Sequence, residues 1–346
     1  MILQHLLKAP SLAPVPHRAL VSVTGSQSSE FLNGLLSTSF QGKPLNRFSS
    51  ILHAQGRVMY DVFLYGTDNG YLLEYDSRPS EAPSLISYFK RHVLRSKVKV
   101  RSVTEEYDIW ASWGSEKDHG WETDRKWHWA KSGAIEPAWE TNDWPWGTED
   151  LVLRDRRGVG MGRRLLVKKG DRPPEAATHD ILSADAYLEH RISRGVAEGV
   201  KDIPPMQAFP IDSNLDIMGG LDFRKGCYVG QELTVRTYHT GVIRKRISPV
   251  KLVDEHGEAV EAASVLENAE IKPATKDDAF RRPRGTGKLL SSTKDVGLAL
   301  LRLEHISAVR NGTVQLQIDV ESRKINVVPF WPDWWPDLQH DNLSDA

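Results

Sequence analysis

The stretch SSILHAQGRVMYDVFLYG, residues 49–66, decides how the first part of the chain folds. Val58, Tyr60, Val62 and Leu64 recur every second residue, the period of a β-strand, and Gly56 sits where that strand must reverse onto the run before it. Just upstream, ALVSVTGSQSSEFLNGLLS at residues 19–37 reads as a strand, a turn at Gly25, and a helix opened by serines with Phe31, Leu32, Leu35 and Leu36 on one face. A strand and helix followed by a hairpin, not by another crossover, argues against a purely parallel sheet. YLLEY at 71–75 continues the sheet, Leu85, Ile86, Phe89, His92 and Val93 have helical spacing, and KVKVRSV at 97–103 reads as a further strand. The fold class expected is α+β with antiparallel pairing.

At 346 residues the chain has room for two or three packed units. Its 45 basic and 46 acidic side chains and 40% hydrophobic content are those of an ordinary globular protein. That balance gives no support to nucleic-acid or membrane-surface binding, and no apolar run is long enough to span a bilayer. The single cysteine argues for a reducing compartment. The start MILQHLLKAPSLAPVPHRALVSV lacks the pattern of a secretory signal and of an intact mitochondrial presequence, so the expectation is a cytosolic chain or one whose presequence is left off.

Eight of the eleven tryptophans fall between Trp110 and Trp146, in a region of about residues 107–150 read as an insertion lying over the fold. Such a cluster either rings a ligand or partner or holds down an irregular loop. In LVLRDRRGVGMGRRLLVKKG, residues 151–170, Gly158, Gly160 and Gly162 lead into a strand-like run, so this is a turn between strands and not a nucleotide loop. SADAYLEHRISR, residues 183–194, reads as a helix with Ser183 as N-cap and Gly195 as its stop. A long loop then runs from Gly195 to Gly220. After Gly241 short strands dominate, Val314, Leu316, Ile318 and Val320 alternating cleanly, with no convincing long helix among them. The domain reading is an N-terminal region 15–240, a C-terminal β-barrel 241–336, and a mobile acidic tail 337–346, the tail's aromatics docking on the body.

The chemistry concentrates in FRKGCYVGQELTVRTYHTG, residues 223–241. Cys227 follows Arg224, Lys225 and Gly226 and precedes a helix start, and both cations and free helix amides lower a thiol's pKa. The competing reading is a buried small hydrophobe, the commonest fate of a free cysteine. No C-x-x-C, H-E-x-x-H or calcium-loop pattern occurs, so a self-contained metal site is not expected. A cluster that takes four ligands, mostly thiolates, could be held by a one-cysteine chain only by sharing it. His239 is the histidine nearest in sequence, and a Cys-His hydrolase stays open at this point.

RKGCYVGQELTVRTYHTGVIRKR, residues 224–246, resembles the K-G-C-Y-x-G-Q-E signature of the YgfZ family, related to GcvT, the folate-binding aminomethyltransferase of the glycine cleavage system. The resemblance continues through residues 18–37, 51–66, 92–100, 191–205, 210–223 and 297–305, about residues 20–303 outside the Trp-rich insertion. It is strongest to the eukaryotic mitochondrial branch, iron-sulfur assembly factors for biotin synthase- and aconitase-like proteins. It implies a GcvT-like N-terminal region plus C-terminal barrel, and a role late in [4Fe-4S] maturation in the mitochondrial matrix, a transit peptide not being evident in this chain. The implied partners are A-type scaffold proteins and clients such as aconitase and lipoate synthase, with no nucleic acid and no membrane insertion. It carries over Cys227 as functional thiolate and shared cluster ligand, supported by Arg224, Lys225, Gly226, Tyr228, Gly230, Gln231 and Glu232, with Arg57, Tyr60, Asp61 and Asp212 as candidate cavity residues. The transferases have a Lys-Gly-Asp-Phe-type run where this chain has Lys225 to Tyr228, and Asp212 stands where relatives often carry Glu. The alternatives are a tetrahydrofolate-dependent one-carbon transferase, and a non-catalytic adaptor using the Trp-rich region, RRPRG at 281–285 or RKR at 244–246. The simpler reading of RKR is a solvated barrel strand.

Overall fold

The computed structural model describes residues 10–40, 45–119, 125–139, 144–261, 267–275, 286–320 and 323–336, so the acidic tail at 337–346 and the RRPRG run lie outside the described residues. The chain begins with β1 (Ser11–Pro14), β2 (Arg18–Thr24), α1 (Ser28–Asn33), β3 (Arg47–Leu52), β4 (Val58–Thr67), β5 (Gly70–Asp76), α2 (Leu85–Val93) and β6 (Lys99–Ser102). β2 to β6 form one antiparallel sheet in the order β3-β4-β5-β2-β6. The hairpin read at residues 49–66 pairs Ser49 with Val62 and Ile51 with Tyr60. Strand alternation sends Tyr60, Val62 and Leu64 into an apolar cluster with Phe31 and Leu32 of α1 and Phe89 of α2. Phe63 and Tyr65 point the other way, into a second cluster that continues toward the rest of the molecule. β4 is therefore buried on both faces.

Next come β7 (Tyr107–Trp113), α3 (Glu116–His119), β8 (Lys126–Trp129), β9 (Ile135–Ala138), β10 (Val152–Arg154), β11 (Arg163–Lys168), β12 (Asp180–Ile181), α4 (Ala184–Ser193), α5 (Gly199–Asp202) and α6 (Gln231–Thr240). The second sheet has the order β10-β11-β7-β1-β12, with β1 and β12 parallel and its other pairs antiparallel. The Trp-rich stretch is thus not all a cover laid over the fold. Its first seven residues are β7, the central strand of this sheet, because Ile109, Ala111 and Trp113 alternate onto the core. β8 and β9 form a separate hairpin. α4 begins after Ser183, and Gly195, at φ +70°, ends its last turn as glycine does.

The C-terminal part is a closed six-stranded barrel of β13 (Lys245–Val253), β14 (Glu270–Thr275), β15 (Gly287–Thr293), β16 (Val296–Arg302), β17 (Val314–Val320) and β18 (Arg323–Pro329), in the order β13-β16-β15-β14-β17-β18. An eight-residue helix, α7 (Leu303–Arg310), links β16 to β17. Val314, Leu316 and Ile318 fill the barrel interior. Beyond β18, Trp335 packs with Ile135 and Ile217, and Trp334 donates its indole N–H to the Arg194 carbonyl at 3.1 Å, so the aromatics fasten the barrel's end to the body.

The sequence reading missed a layer of buried charge between the first two sheets. Glu198 takes Arg164 at 2.5 Å, Arg157 at 2.7 Å and the Tyr187 hydroxyl at 2.8 Å. Arg18 donates to Glu74 at 2.8 Å, and Arg157 pairs with Asp155 at 2.7 Å. Arg157 and Arg164 also lie over the Phe63 ring, 4.5 and 4.9 Å from its centroid. Arg246, expected in a solvated strand, is buried and grips both Asp216 oxygens at 2.9 Å. Fully desolvated guanidiniums survive only with such partners, and losing one partner typically costs about 3–5 kcal/mol.

Candidate functional site

Cys227 sits on a loop whose flanks are tied down while its centre stands free. Asp222 donates its amide to the Ser37 carbonyl at 3.0 Å, and Val229 donates to the Gly34 carbonyl at 3.1 Å, so both ends of the loop are sewn to the chain leaving α1. The Lys225 ammonium reaches the carbonyls of Asn33, Leu36 and Thr38 at 2.6, 2.7 and 3.0 Å. Those are acceptors at and just past a helix C-terminus, where a cation is favoured. Burial nonetheless pushes the Lys225 amine down to about 8. Tyr228 is buried on the far side of the cysteine, its ring 5.0 Å below the Lys225 ammonium, and its amide donates to Gln231 Oε1 at 3.1 Å. Between these anchors Gly226 and Cys227 are exposed.

The opening hairpin supports the same loop. Gly230, at φ +82°, lies so close to the β3–β4 turn that a Cβ there would meet the His53 carbonyl oxygen at 2.3 Å. A Cβ on Gly56, at φ +79°, would meet the Leu233 Cβ of α6 at 2.6 Å. Both glycines are demanded by the fold. Gly226 is not: its φ is ordinary for any residue, and a Cβ would meet nothing within 4 Å. The two glycines of the motif thus do different work, Gly230 nesting inward and Gly226 leaving the surface beside the thiol low.

The two cations do not act alike. Lys225 is occupied by its three carbonyls, and the exposed Arg224 guanidinium lies 3.8 Å from Glu136 of β9. Glu136 in turn accepts from the Tyr238 hydroxyl at 2.6 Å, and Tyr238 stacks on Phe223 at 4.2 Å between centroids. The helix start read beside the cysteine is α6, which begins four residues later at Gln231, with Glu232 exposed in its first turn.

The four candidate cavity residues do not converge. Tyr60 is buried with its hydroxyl donating to the Pro83 carbonyl at 2.8 Å. Its neighbour Asp61 points to the opposite face of β4, where it accepts the Gly199 amide at 3.1 Å and lies 3.6 Å from Arg18. Arg57 lies 3.4 Å over the Phe209 ring and donates to the Gln207 carbonyl at 2.8 Å. Only Arg57 and Asp212 are within electrostatic reach of each other. Burial raises the Asp212 carboxyl to about 6 against the pull of Arg246, Lys245 and Arg57. A cleft of about 190 Å³ lies where Arg18, Tyr187, Arg191 and Ser291 meet, and none of the four residues lines it. Tyr60 and Asp61 serve opposite faces of β4, so the four do not gather round a single point. Among the described residues no three His, Cys, Asp or Glu side chains gather in a way that could hold a metal ion.

A family model described as the CAF17 C-terminal beta-barrel domain matches residues 244–337. A protein of Cryptococcus neoformans named iron-sulfur cluster assembly factor IBA57 homolog, mitochondrial, is 38% identical over 326 residues, covering 86% of this chain and 85% of the relative. A protein of the same name from Aspergillus oryzae is 35% identical over 334 residues, covering 86% of this chain and 71% of its own. Among solved structures, the glycine cleavage system aminomethyltransferase T of Bartonella henselae matches with a TM-score of 0.65 at 14% identity, over 96% of this chain and 88% of that one. At that identity the likeness shows a shared GcvT-like fold.

Proposed function

The chain belongs to the IBA57 family of mitochondrial iron-sulfur cluster assembly factors, and from that membership we propose that Cys227 is the thiolate through which it handles a cluster held jointly with a partner. The observation that carries this reading is the presentation of the thiol. The sole cysteine of the chain is exposed on a loop anchored at both sides, next to a glycine that no internal contact requires. A thiolate is an iron ligand, and an iron-sulfur cluster takes several. One cysteine leaves the remaining thiolates to come from another protein. An A-type scaffold, whose thiols would supply them, is the partner class, and [4Fe-4S] proteins such as aconitase and lipoate synthase are the recipients, in the mitochondrial matrix. The cluster is cargo on this view. Lys225, Tyr228, Gln231 and Gly230 hold the loop's shape, Arg224 and Glu232 lie exposed on either side of it, and Gly226 lets a partner's backbone approach the sulfur.

Mixing the protein with a cluster-loaded A-type scaffold tests the proposal. A visible absorption spectrum that differs from the scaffold's own, appears only in the mixture and is lost in Cys227→Ser supports a shared cluster. An identical spectrum with Cys227→Ser removes it.

A further inference from the structure

The near-zero net charge conceals a local concentration. From Leu85 to Val103 the chain carries six Lys and Arg residues and no carboxylate. They fall on the last turn of α2, the turn after it, and β6, the edge strand of the first sheet. Lys90, Arg91, Arg95, Lys97 and Lys99 are all exposed, and none of them enters an ion pair among the described residues. The sixth, Arg101, pairs with Glu106. Glu30 of α1, beside the turn, is approached by Gln27 Nε2 at 3.5 Å. At the apex stands Leu94, held at φ +46° with 87% of its surface in solvent. Beneath it the support is packed: Phe89 and Leu85 are fully buried, and Val93, Val98 and Val100 lie against the same apolar cluster.

Fold-level effects explain part of this. Lys90 and Arg91 complement the C-terminal end of α2, and Lys99 blunts an open sheet edge. They do not explain why the turn between holds a leucine outward, at a backbone angle that L residues seldom adopt, between Arg91 and Arg95. Nor does the patch suit a protein partner, since an interface needs an apolar core of several residues. Of the exposed large hydrophobics among the described residues, Leu94 alone lies here. A convex tip with one apolar side chain ringed by cations matches a bilayer surface, where acyl-side contact and attraction to anionic headgroups add.

We propose that the turn from α2 to β6 docks this protein on an anionic lipid surface, Leu94 entering the headgroup layer while Lys90, Arg91, Arg95 and Lys97 face the phosphates. Co-sedimentation of the full chain with vesicles tests it, comparing phosphatidylcholine alone with phosphatidylcholine containing about one part in four phosphatidylglycerol. Binding is expected only to the anionic vesicles and is reversed by high salt. The double variant Arg91→Glu, Arg95→Glu should lower the partition coefficient at least about tenfold, and Leu94→Asp several-fold, with circular dichroism unchanged. Should charge reversal disturb the fold, Arg91→Gln with Arg95→Gln serves in its place, with a smaller drop expected. Equal sedimentation with neutral and anionic vesicles, or binding that survives the charge variants, overturns the proposal. So does salt-sensitive binding to a soluble polyanion such as heparin without binding to anionic vesicles.

Discussion

Replacing Lys225 with methionine keeps the length of the side chain and removes the ammonium that joins the carbonyls of Asn33, Leu36 and Thr38. Hydrogen bonds from a charged donor contribute about 1.5–3 kcal/mol each, so the three together represent about 6 kcal/mol gross. Against this stands the cost of desolvating the amine, visible as its fall to about 8. At about 1.4 kcal/mol per unit, and discounted because the group is partly open to solvent, that cost is about 2 kcal/mol. Water can replace part of what the carbonyls lose, so Lys225→Met is expected to lose about 2–3 kcal/mol in urea denaturation at pH 7. The pH dependence gives a second check. Between about 8 and the unfolded value near 10.4 the unfolded chain holds a proton the folded chain has released, so wild-type stability rises with pH there. The variant lacks that rise, and the gap between the two proteins should widen from pH 8 to 10. The cysteine loop should also lose its shape, weakening formation of a partner-dependent cluster while far-UV circular dichroism stays native. A loss below about 0.5 kcal/mol would refute the anchoring role of Lys225, and a gap that narrows with rising pH would refute the lowering of its amine by burial.

The two glycines of the motif should separate cleanly. Gly230→Ala places a methyl carbon 2.3 Å from a backbone oxygen at a left-handed φ and should cost at least about 2 kcal/mol in thermal or urea unfolding. Gly226→Ala should change stability by less than about 0.5 kcal/mol yet weaken complex formation with a cluster-loaded scaffold, measured by size-exclusion chromatography. Asp212, raised to about 6, binds its proton more tightly when folded, so wild-type stability falls as pH rises from 4 to 6. Asp212→Asn should remove that fall and leave the variant about 1–3 kcal/mol more stable at pH 7 and equal near pH 4, read from a pH series of melting curves. Glu198→Ala strands Arg157 and Arg164 in the interior and should cost about 3–5 kcal/mol, or prevent folding. Glu198→Gln, which keeps an acceptor without the charge, should cost less.

Local pattern made much of this fold readable. The alternation in residues 60–64, the helical spacing of Leu85 and Phe89, and the alternation from Val314 to Ile318 each report a face of one element, and each is found as read, whereas Val58, beyond a register shift in the hairpin, joins the opposite cluster. What was not readable depends on partners far away in sequence. Arg157 and Arg164 flank what looks like a solvated turn, and their partner Glu198 comes more than thirty residues later. Arg246 sits in a basic run that composition assigns to water, while Asp216 waits in a loop thirty residues earlier. A charged residue carries no local mark of being buried, because its burial is decided by whether a counter-charge meets it in space. The Trp-rich region misled for a related reason. Its unusual composition drew attention from the ordinary two-residue alternation of β7. At the site, the cysteine's isolation was plain from a count, but the contrast between Gly226 and Gly230 needed coordinates. So did the separation of Tyr60 from Asp61, although adjacent strand residues always face opposite ways. The net charge gave no hint of the basic turn around Leu94, because a sum over the chain cancels what the fold segregates.

Whether Cys227 ligates iron in a cluster shared with a second protein can be read from one atom. Because the chain has one cysteine, growing it on heavy-isotope cysteine labels a single sulfur. Resonance Raman spectra of the complex formed with an unlabelled, cluster-loaded A-type scaffold then report on that atom alone. An iron–thiolate stretching band that moves to lower frequency on labelling, and is missing with Cys227→Ser, is the predicted result. Identical spectra from labelled and unlabelled protein would mean that the cluster never touches Cys227.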